Sequence, residues 1–169
     1  MKAELCQFCL RSGMLCSNCK KKVERGEVSQ LDLEVGRLLI SIEDKYPPLQ
    51  DVHFHKAVEA DGVLAIIVNP GDIARILSYG GKIIKFIERK TKKSIRVLEH
   101  RSDERKFLED LFAPMSILTI NRIWLPDGTT ETRVILKGRE RRKTSKYFKA
   151  LREIARKAQG IALRVEFAG

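Results

Sequence analysis

The chain has 169 residues, of which 43% are hydrophobic, and its formal net charge at pH 7 is +11. This apolar content excludes wholesale disorder and is enough for one ordinary domain or for two small ones with a shared core. No apolar run approaches the roughly 20 residues that a membrane helix needs, so no membrane partner is predicted. The basic, cysteine-rich start lacks the apolar core of a secretion signal, and a cytoplasmic location is therefore expected.

All four cysteines lie in the first 19 residues, as two Cys-x2-Cys pairs formed by Cys6, Cys9, Cys16 and Cys19. Two residues between thiolates let one turn present both sulfurs to the same tetrahedral ion, and Zn²⁺ is the usual ion for four thiolates. Four protein ligands leave no open position, so residues 1–26 are predicted to form a small knuckle around a structural zinc ion. A pair of disulfides and an iron–sulfur cluster are the alternatives.

The next segment predicts the order helix, strand, strand, helix, helix, strand. Apolar residues at helical spacing predict a helix over residues 28–42, with Ser29 as its N-cap and Asp32 as a weaker capping-box partner. Asp61 and Gly62 are typical of a hairpin turn, and Asp72 is expected to cap the first helix of the middle pair. The remaining elements are predicted as strands at 52–59, 63–68 and 95–98 and as helices at 73–77 and 82–90.

The same order of elements then recurs, except that residues 137–143 are very basic and give no clear helix or strand pattern. Trp124 precedes a turn and is expected to anchor the core, with a stacking platform for a base as the alternative. The predicted class is α+β, with two αββααβ domains at 27–101 and 102–169. The elements of the second domain are predicted as helices at 103–112 and 146–158 and as strands at 116–124, 130–136 and 161–167.

Positive charge is concentrated at comparable places in the two repeated units. Residues 82–96 hold seven Lys and Arg and one Glu, and residues 137–157 hold ten Lys and Arg and two Glu. Such clusters favour a polyanionic partner such as RNA. The ordinary alternative is a solvated helix face, and a repeated pair of clusters weakens that alternative.

A repeated αββααβ unit with a Gly-bearing break between its middle helices resembles the prokaryotic type, or type II, of KH domain. Residues 52–167 resemble the archaeal tandem-KH proteins related to the transcription factor NusA. The resemblance is carried by VNPGDIARILSYGGKIIKFIERKTKKSIRVLE, FLEDLFAPMSI, WLPDG and KALREIARKAQGI. It implies two KH domains that bind single-stranded RNA in transcription elongation or termination, through a GxxG loop whose backbone approaches the phosphates.

Neither GxxG loop is intact in this sequence. The first aligns with residues 78–81 and keeps only the second glycine of the motif, and the second aligns with residues 142–145 and has no glycine. Side-chain cations are expected to replace the backbone cradle in the second loop, and one long merged helix that no longer binds RNA in the KH manner is the alternative. The resemblance thus implies RNA contacts from Ser78, Tyr79, Gly80, Gly81, Lys82, Lys85, Arg141, Arg142, Lys143 and Lys146.

The sequence predicts no catalytic residue and no small-molecule substrate. It holds no Walker loop, GxSxG elbow or HExxH motif, and the carboxylates of residues 103–110 have the spacing of surface ion pairs. His53 and His55 alternate on a predicted strand, where polar-face residues are the ordinary interpretation and a second metal site is the alternative. The chain is therefore not expected to be an enzyme.

The degenerate loops leave a second function open. The chain is then a docking module on RNA polymerase or the ribosome, which attaches through the knuckle and the first long helix, and its charge serves contacts with nearby nucleic acid.

Overall fold

The computed structural model describes residues 1–169 and confirms the α+β class, with two small sheets and seven α-helices. None of the helices is both long enough and apolar enough to cross a bilayer. The elements of residues 1–101 are β1 Lys2–Ala3, α1 Gln7–Ser12, α2 Ser17–Glu24, α3 Gln30–Ile40, β2 His53–Ala60, β3 Val63–Val68, α4 Asp72–Ile76, α5 Lys82–Thr91 and β4 Ser94–Glu99. Those of the remaining residues are α6 Glu104–Phe112, β5 Ile117–Trp124, β6 Thr130–Lys137, α7 Ser145–Gln159 and β7 Leu163–Ala168.

Both sheets combine an antiparallel hairpin with a parallel strand. In the first sheet, whose order is β1-β2-β3-β4, the β2–β3 hairpin turns at Asp61 and Gly62, and β4 returns parallel to β3. The second sheet has the order β5-β6-β7, with β5 antiparallel and β7 parallel to β6. We call residues 27–101 the first unit and residues 102–169 the second unit, because each contains one helix, one hairpin, a helical crossover and one parallel strand.

The two units differ in the crossover. In the first unit it consists of α4, a 3-10 turn over Tyr79–Gly81 and α5, as the sequence predicts. In the second unit a single 3-10 turn over Arg142–Thr144 stands where a first middle helix was expected. The preceding residues are polar and basic and include Gly138 at φ 117°, so they offer no apolar stripe that could hold a helix against the core.

Residues 1–26, which we call the cysteine segment, share the sheet and the core of the first unit. The short strand β1 adds to the edge of the first sheet by pairing with β2. Leu5, Cys9, Leu10 and Cys19 are buried in one cluster with α3, α5 and the first sheet. Gly36 of α3 makes this contact close, because a Cβ there would lie 3.1 Å from Leu10 Cδ2.

The first sheet is covered on both faces, and strand β3 is buried at every position. Leu64, Ile66 and Val68 face the cluster formed with α3, α5 and the cysteine segment, which we call the first core. Their neighbours Val63, Ala65 and Ile67 belong to a second core together with residues of α6 and α7. The second core is therefore built from residues of both units.

Two buried carboxylates connect helices to the backbone of β2. Ser29 and Asp32 form the predicted capping box of α3, and Asp32 Oδ1 also accepts a hydrogen bond of 2.7 Å from the Ala57 amide. Asp72 was expected as the N-cap of α4, but Gly71 occupies that position at φ 88°, and Asp72 is the first residue of the helix. Its carboxylate instead accepts from the His53 amide at 2.8 Å.

Trp124 does not anchor the core, contrary to the expectation from the sequence, and its side chain is 74% exposed. It pairs with Thr130 next to the turn of the β5–β6 hairpin, whereas the first buried residue of β6 is Thr132. Trp124 thus lies beyond the part of the sheet that the helices cover. Phe107, Phe112 and Phe148 fill the second core instead.

Candidate metal centre and nucleic-acid interface

The four predicted metal ligands meet at one point. The sulfur atoms of Cys6, Cys9, Cys16 and Cys19 all lie within 4.8 Å of one another. Cys6 Sγ is 3.2 Å from Cys9 Sγ and 3.7 Å from Cys19 Sγ. A tetrahedral ion with Zn–S bonds of about 2.3 Å holds its sulfurs roughly 3.8 Å apart, so this donor set can hold a metal ion of that size.

The helix starts explain why the sulfurs converge. Cys6 is the N-cap of α1 and Cys16 is the N-cap of α2, so each Cys-x2-Cys pair straddles the first turn of a short helix. The Cys6 amide donates to Cys19 Sγ at 3.4 Å, and the Cys16 amide donates to Cys9 Sγ at 3.1 Å. These two bonds link the pairs to each other and place amide dipoles against sulfurs that carry negative charge when they bind a metal.

Backbone amides of the second cysteine in each pair also separate the thiols by acidity. A hydrogen bond from the Cys19 amide, with smaller contributions from neighbouring thiols, lowers the pKa of Cys16 to about 7. The Cys9 amide acts in the same way on Cys6 and lowers its pKa. Burial raises the pKa of Cys19. Two of the four thiols therefore give up their protons readily, which favours metal binding because a thiolate and not a thiol is the ligand.

The first predicted RNA loop, Ser78–Gly81, forms a tight exposed turn between α4 and α5. Tyr79, Gly80 and Gly81 all have positive φ, at 57°, 63° and 80°. A Cβ at Gly80 or Gly81 would meet no atom within 4 Å, so both glycines face open space. The tyrosine ring is 48% exposed and packs edge-on against Tyr46, with 5.3 Å between ring centroids.

The loop presents an uncapped helix start. No side chain caps α5, which begins after Gly81 and has no acidic residue in its first turn. By contrast, Ser29 caps α3 and Asp103 caps α6. The first amides of α5 are therefore free of side-chain acceptors and lie beside the exposed side chains of Lys82 and Lys85. Such a helix start attracts an anion.

The second predicted loop is a cationic turn without glycine. Arg141, Arg142, Lys143 and Lys146 are all exposed. The helix α7 begins at Ser145 after the 3-10 turn and has neither a side-chain cap nor an acidic residue in its first turn. The structure thus has a helix start here, not the long merged helix that was the alternative.

The histidines form a feature that the sequence analysis did not assemble. His53 and His55 share one face at the start of β2, and His100 follows the end of β4 and stacks on His55. Burial lowers the pKa of both His53 and His100. The order β2-β3-β4 could have revealed the contact, because the start of β2 and the ends of β3 and β4 meet at one end of the sheet.

A comparison with known protein families found no match. The chain is 35% identical over 57 residues to the "Probable transcription termination protein NusA" of Methanocaldococcus jannaschii, and the match covers 34% of this chain and 31% of that protein. The chain therefore spans about a third of the length of this curated relative. Among solved structures, the crystal structure of APE1850 matches 78% of this chain and 96% of its own, with a TM-score of 0.51 and 20% identity.

The predicted resemblance to archaeal NusA proteins is thus confirmed for part of the chain, over a stretch of 57 residues. The match to APE1850 extends over both units and, at 20% identity, shows a shared fold alone.

Proposed function

We propose that this protein binds single-stranded RNA through two KH-like units and acts in transcription elongation or termination. The observation that carries the proposal is the exposed, uncapped start of α5 behind the Ser78–Gly81 loop. Its backbone amides, which no side chain caps, and its flanking lysines provide the donors that a nucleotide phosphate requires. The similarity to a NusA protein supports the assignment to transcription.

The two loops have different parts in this proposal. The first loop holds phosphates with backbone amides and with Lys82 and Lys85. The second holds them with Arg141, Arg142, Lys143 and Lys146, whose side chains position nucleic acid but read little sequence. Sequence preference then comes from bases that lie beside the first loop, where Tyr79 offers an exposed ring for stacking.

Zinc has a structural part in the proposed function. Four thiolates fill the coordination sphere of the ion, so the ion supplies no open position for a catalytic water. Catalysis by the chain is not part of the proposal. Incubation of RNA with the metal-replete protein tests this point, since cleavage that follows the protein through purification would contradict it.

The binding test compares one short unstructured RNA, its DNA counterpart and a duplex RNA, each over a salt series by fluorescence anisotropy. We expect the single-stranded RNA to bind best and to remain bound near physiological salt. Equal, weak binding of all three that vanishes as salt rises would show that charge alone acts and would contradict the proposal.

A matched pair of variants then locates the contact. Gly81→Asp puts a carboxylate at the start of α5, and Gly128→Asp makes the same change at φ 87° in the turn between β5 and β6. One lost charge-assisted hydrogen bond is worth about 1.5–3 kcal/mol. Gly81→Asp should therefore weaken RNA binding by about tenfold to a hundredfold, whereas Gly128→Asp should leave it within about threefold. Equal effects of the two variants would remove the first loop from the interface.

The second candidate function is docking on RNA polymerase or the ribosome. Two apolar side chains on the cysteine segment favour it, because Phe8 is 68% and Met14 is 73% exposed. The helix α3 contributes less than expected, because its apolar side is packed in the first core. A docking module should sediment with the large complex after nuclease treatment, and Phe8→Ser with Met14→Ser should release it, whereas Gly81→Asp should not.

A further inference from the structure

All three histidines of the chain form one stacked column at the end of the first sheet. The ring centroids of His53 and His55 are 4.1 Å apart, those of His55 and His100 are 3.8 Å apart, and each pair is 11° from parallel. Such a column, outside both loops and outside the cysteine site, has no part in the proposed RNA contacts.

A carboxylate from the cysteine segment reaches this column. Glu4 lies between β1 and α1, and its Oε1 is 3.3 Å from His55 Nδ1 and 3.8 Å from His53 Nε2. One donor atom from each of these three residues lies within 4.8 Å of the other two. Two imidazoles from alternate residues of a strand, with a carboxylate facing them, form a donor set that suits a divalent transition-metal ion.

The hydrogen bond on the far side of His55 fixes which nitrogen is free. His55 Nε2 is 2.5 Å from Asn69 Oδ1, an oxygen that can only accept, so Nε2 carries the hydrogen. In the neutral ring Nδ1 then holds a lone pair, and this lone pair faces the Glu4 carboxylate across 3.3 Å. Two acceptors at this distance repel unless a cation or a proton lies between them. Ligating histidines ordinarily donate their second ring N–H to an oxygen in this way.

We propose that Glu4, His53 and His55 bind a divalent transition-metal ion of the Zn²⁺ or Co²⁺ type, at a second site distinct from the four cysteines. Three protein ligands leave at least one coordination position open. That position faces a cleft of about 440 Å³ lined by His55, Lys22, Lys56 and Arg101 among others. Water or a small anion completes the coordination sphere there.

The ion ties the cysteine segment to the sheet. Glu4 is two residues before Cys6, whereas the histidines belong to the start of β2. A metal ion lies in the plane of each imidazole that it binds, so His53 and His55 must turn out of their stacked arrangement on binding. Metal binding should therefore change the ring resonances of both histidines and release His100 from its contact.

The experiment uses the full chain without RNA, so its result does not depend on the proposed function. Protein loaded with one equivalent of Zn²⁺ is titrated with Co²⁺, followed by calorimetry, by near-ultraviolet and visible absorption and by imidazole ¹H–¹⁵N spectra. Thiolates give Co²⁺ intense charge-transfer absorption and imidazole and carboxylate do not, so the two sites are told apart by their spectra. We expect a second equivalent to bind without charge-transfer absorption and to shift His53 and His55.

Variants separate the ligands from their neighbours. The affinity for the second equivalent of Co²⁺ should fall by more than tenfold in each of the variants Glu4→Ala, His53→Ala and His55→Ala. Asn69→Ala should lower the same affinity by roughly ten- to hundredfold, because the amide oxygen fixes the His55 tautomer. His100→Ala is the matched control, since it removes a ring of the column but no ligand, and it should stay within about threefold of wild type. Thermal unfolding of each variant, compared without Co²⁺, checks that the fold is kept.

The proposal is overturned if no second equivalent of Co²⁺ binds. It is also overturned if Glu4→Ala and His53→Ala leave the affinity unchanged, or if His100→Ala costs as much as His53→Ala. Charge-transfer absorption from the second equivalent would show that this ion binds the cysteines, and that result would overturn the proposal as well.

Discussion

Removal of the metal ion that we propose for the four cysteines is expected to destabilise the first unit as a whole and not only the segment that carries the ligands. The reason is that the cysteine segment is part of the first core. Leu5 is 4% and Leu10 is 2% exposed, and both lie in the cluster that holds α3 and the first sheet. Without an ion, this short segment loses four bonds to the metal and keeps only weak amide-to-sulfur hydrogen bonds between its two Cys-x2-Cys pairs.

The size of the effect follows from those two side chains. Full burial of a leucine is worth about 1.5–3 kcal/mol, so detachment of the segment should cost the first unit roughly 3–6 kcal/mol. For a chain of this length each kcal/mol lowers Tm by about 2–4 °C, which places the expected fall at roughly 6–24 °C. A stability of about 5–15 kcal/mol, typical of such proteins, would be cut substantially.

The assay is thermal unfolding by circular dichroism, before and after treatment with a strong chelator under reducing conditions, with the metal measured by elemental analysis. Cys9→Ser should behave like the chelated protein and should show no further change with chelator. Leu10→Ala is the control that keeps all four ligands, and it should lose about 2–5 kcal/mol while still binding the metal. A chelated protein that unfolds within about 2 °C of the loaded one would refute the reasoning, since the segment would then hold its place without an ion.

Three further predictions concern the fold and the second loop. Asp32→Asn should cost about 1–3 kcal/mol in chemical denaturation because it weakens the acceptor of a buried amide, whereas Asp103→Asn, at an exposed helix cap, should cost less than about 1 kcal/mol. The double variant Arg142→Glu with Lys143→Glu should weaken RNA binding about equally for all RNA sequences. It should also reduce the slope of log binding constant against log salt concentration by about 2. An unchanged slope would exclude both side chains from the RNA interface. Trp124→Ala should change stability by no more than about 0.5 kcal/mol in the same denaturation assay, since a larger loss would mean that this side chain packs.

The local features were predictable because each depends on residues close together in the chain. The spacing of the cysteines indicated the four-sulfur set, and the pair Ser29 and Asp32 indicated the start of α3. The order of elements in the first unit followed from periodicity, since its strands and helices have strong apolar patterns. Second-unit residues 137–143 have no such pattern, and there the expected helix is a single 3-10 turn.

The features that escaped prediction depend on contacts between distant segments. Asp72 seemed to be a helix cap, yet its carboxylate binds the amide of His53 on another element. Glu4 and His100 had no local signal, because only the strand order β1-β2-β3-β4 of the first sheet brings them to His55. Trp124 was misplaced for a related reason, since the register of β5 and not its own hydrophobicity puts it beyond the helices.

The shared second core determines how the two loops can act together. Val63 and Leu98 of the first sheet pack with residues of α6 and α7, and Arg96 donates to the Asp110 carbonyl oxygen of α6 at 2.7 Å. The units are therefore held by packing and not by a flexible linker. An RNA that reaches both loops meets a preformed surface, so the second contact costs little additional ordering. We therefore compare the double variant Gly81→Asp with Arg142→Glu on two RNAs, one long enough to reach both loops and one that reaches a single loop. The long RNA should lose more affinity than the short one. Equal losses would show that the loops act separately.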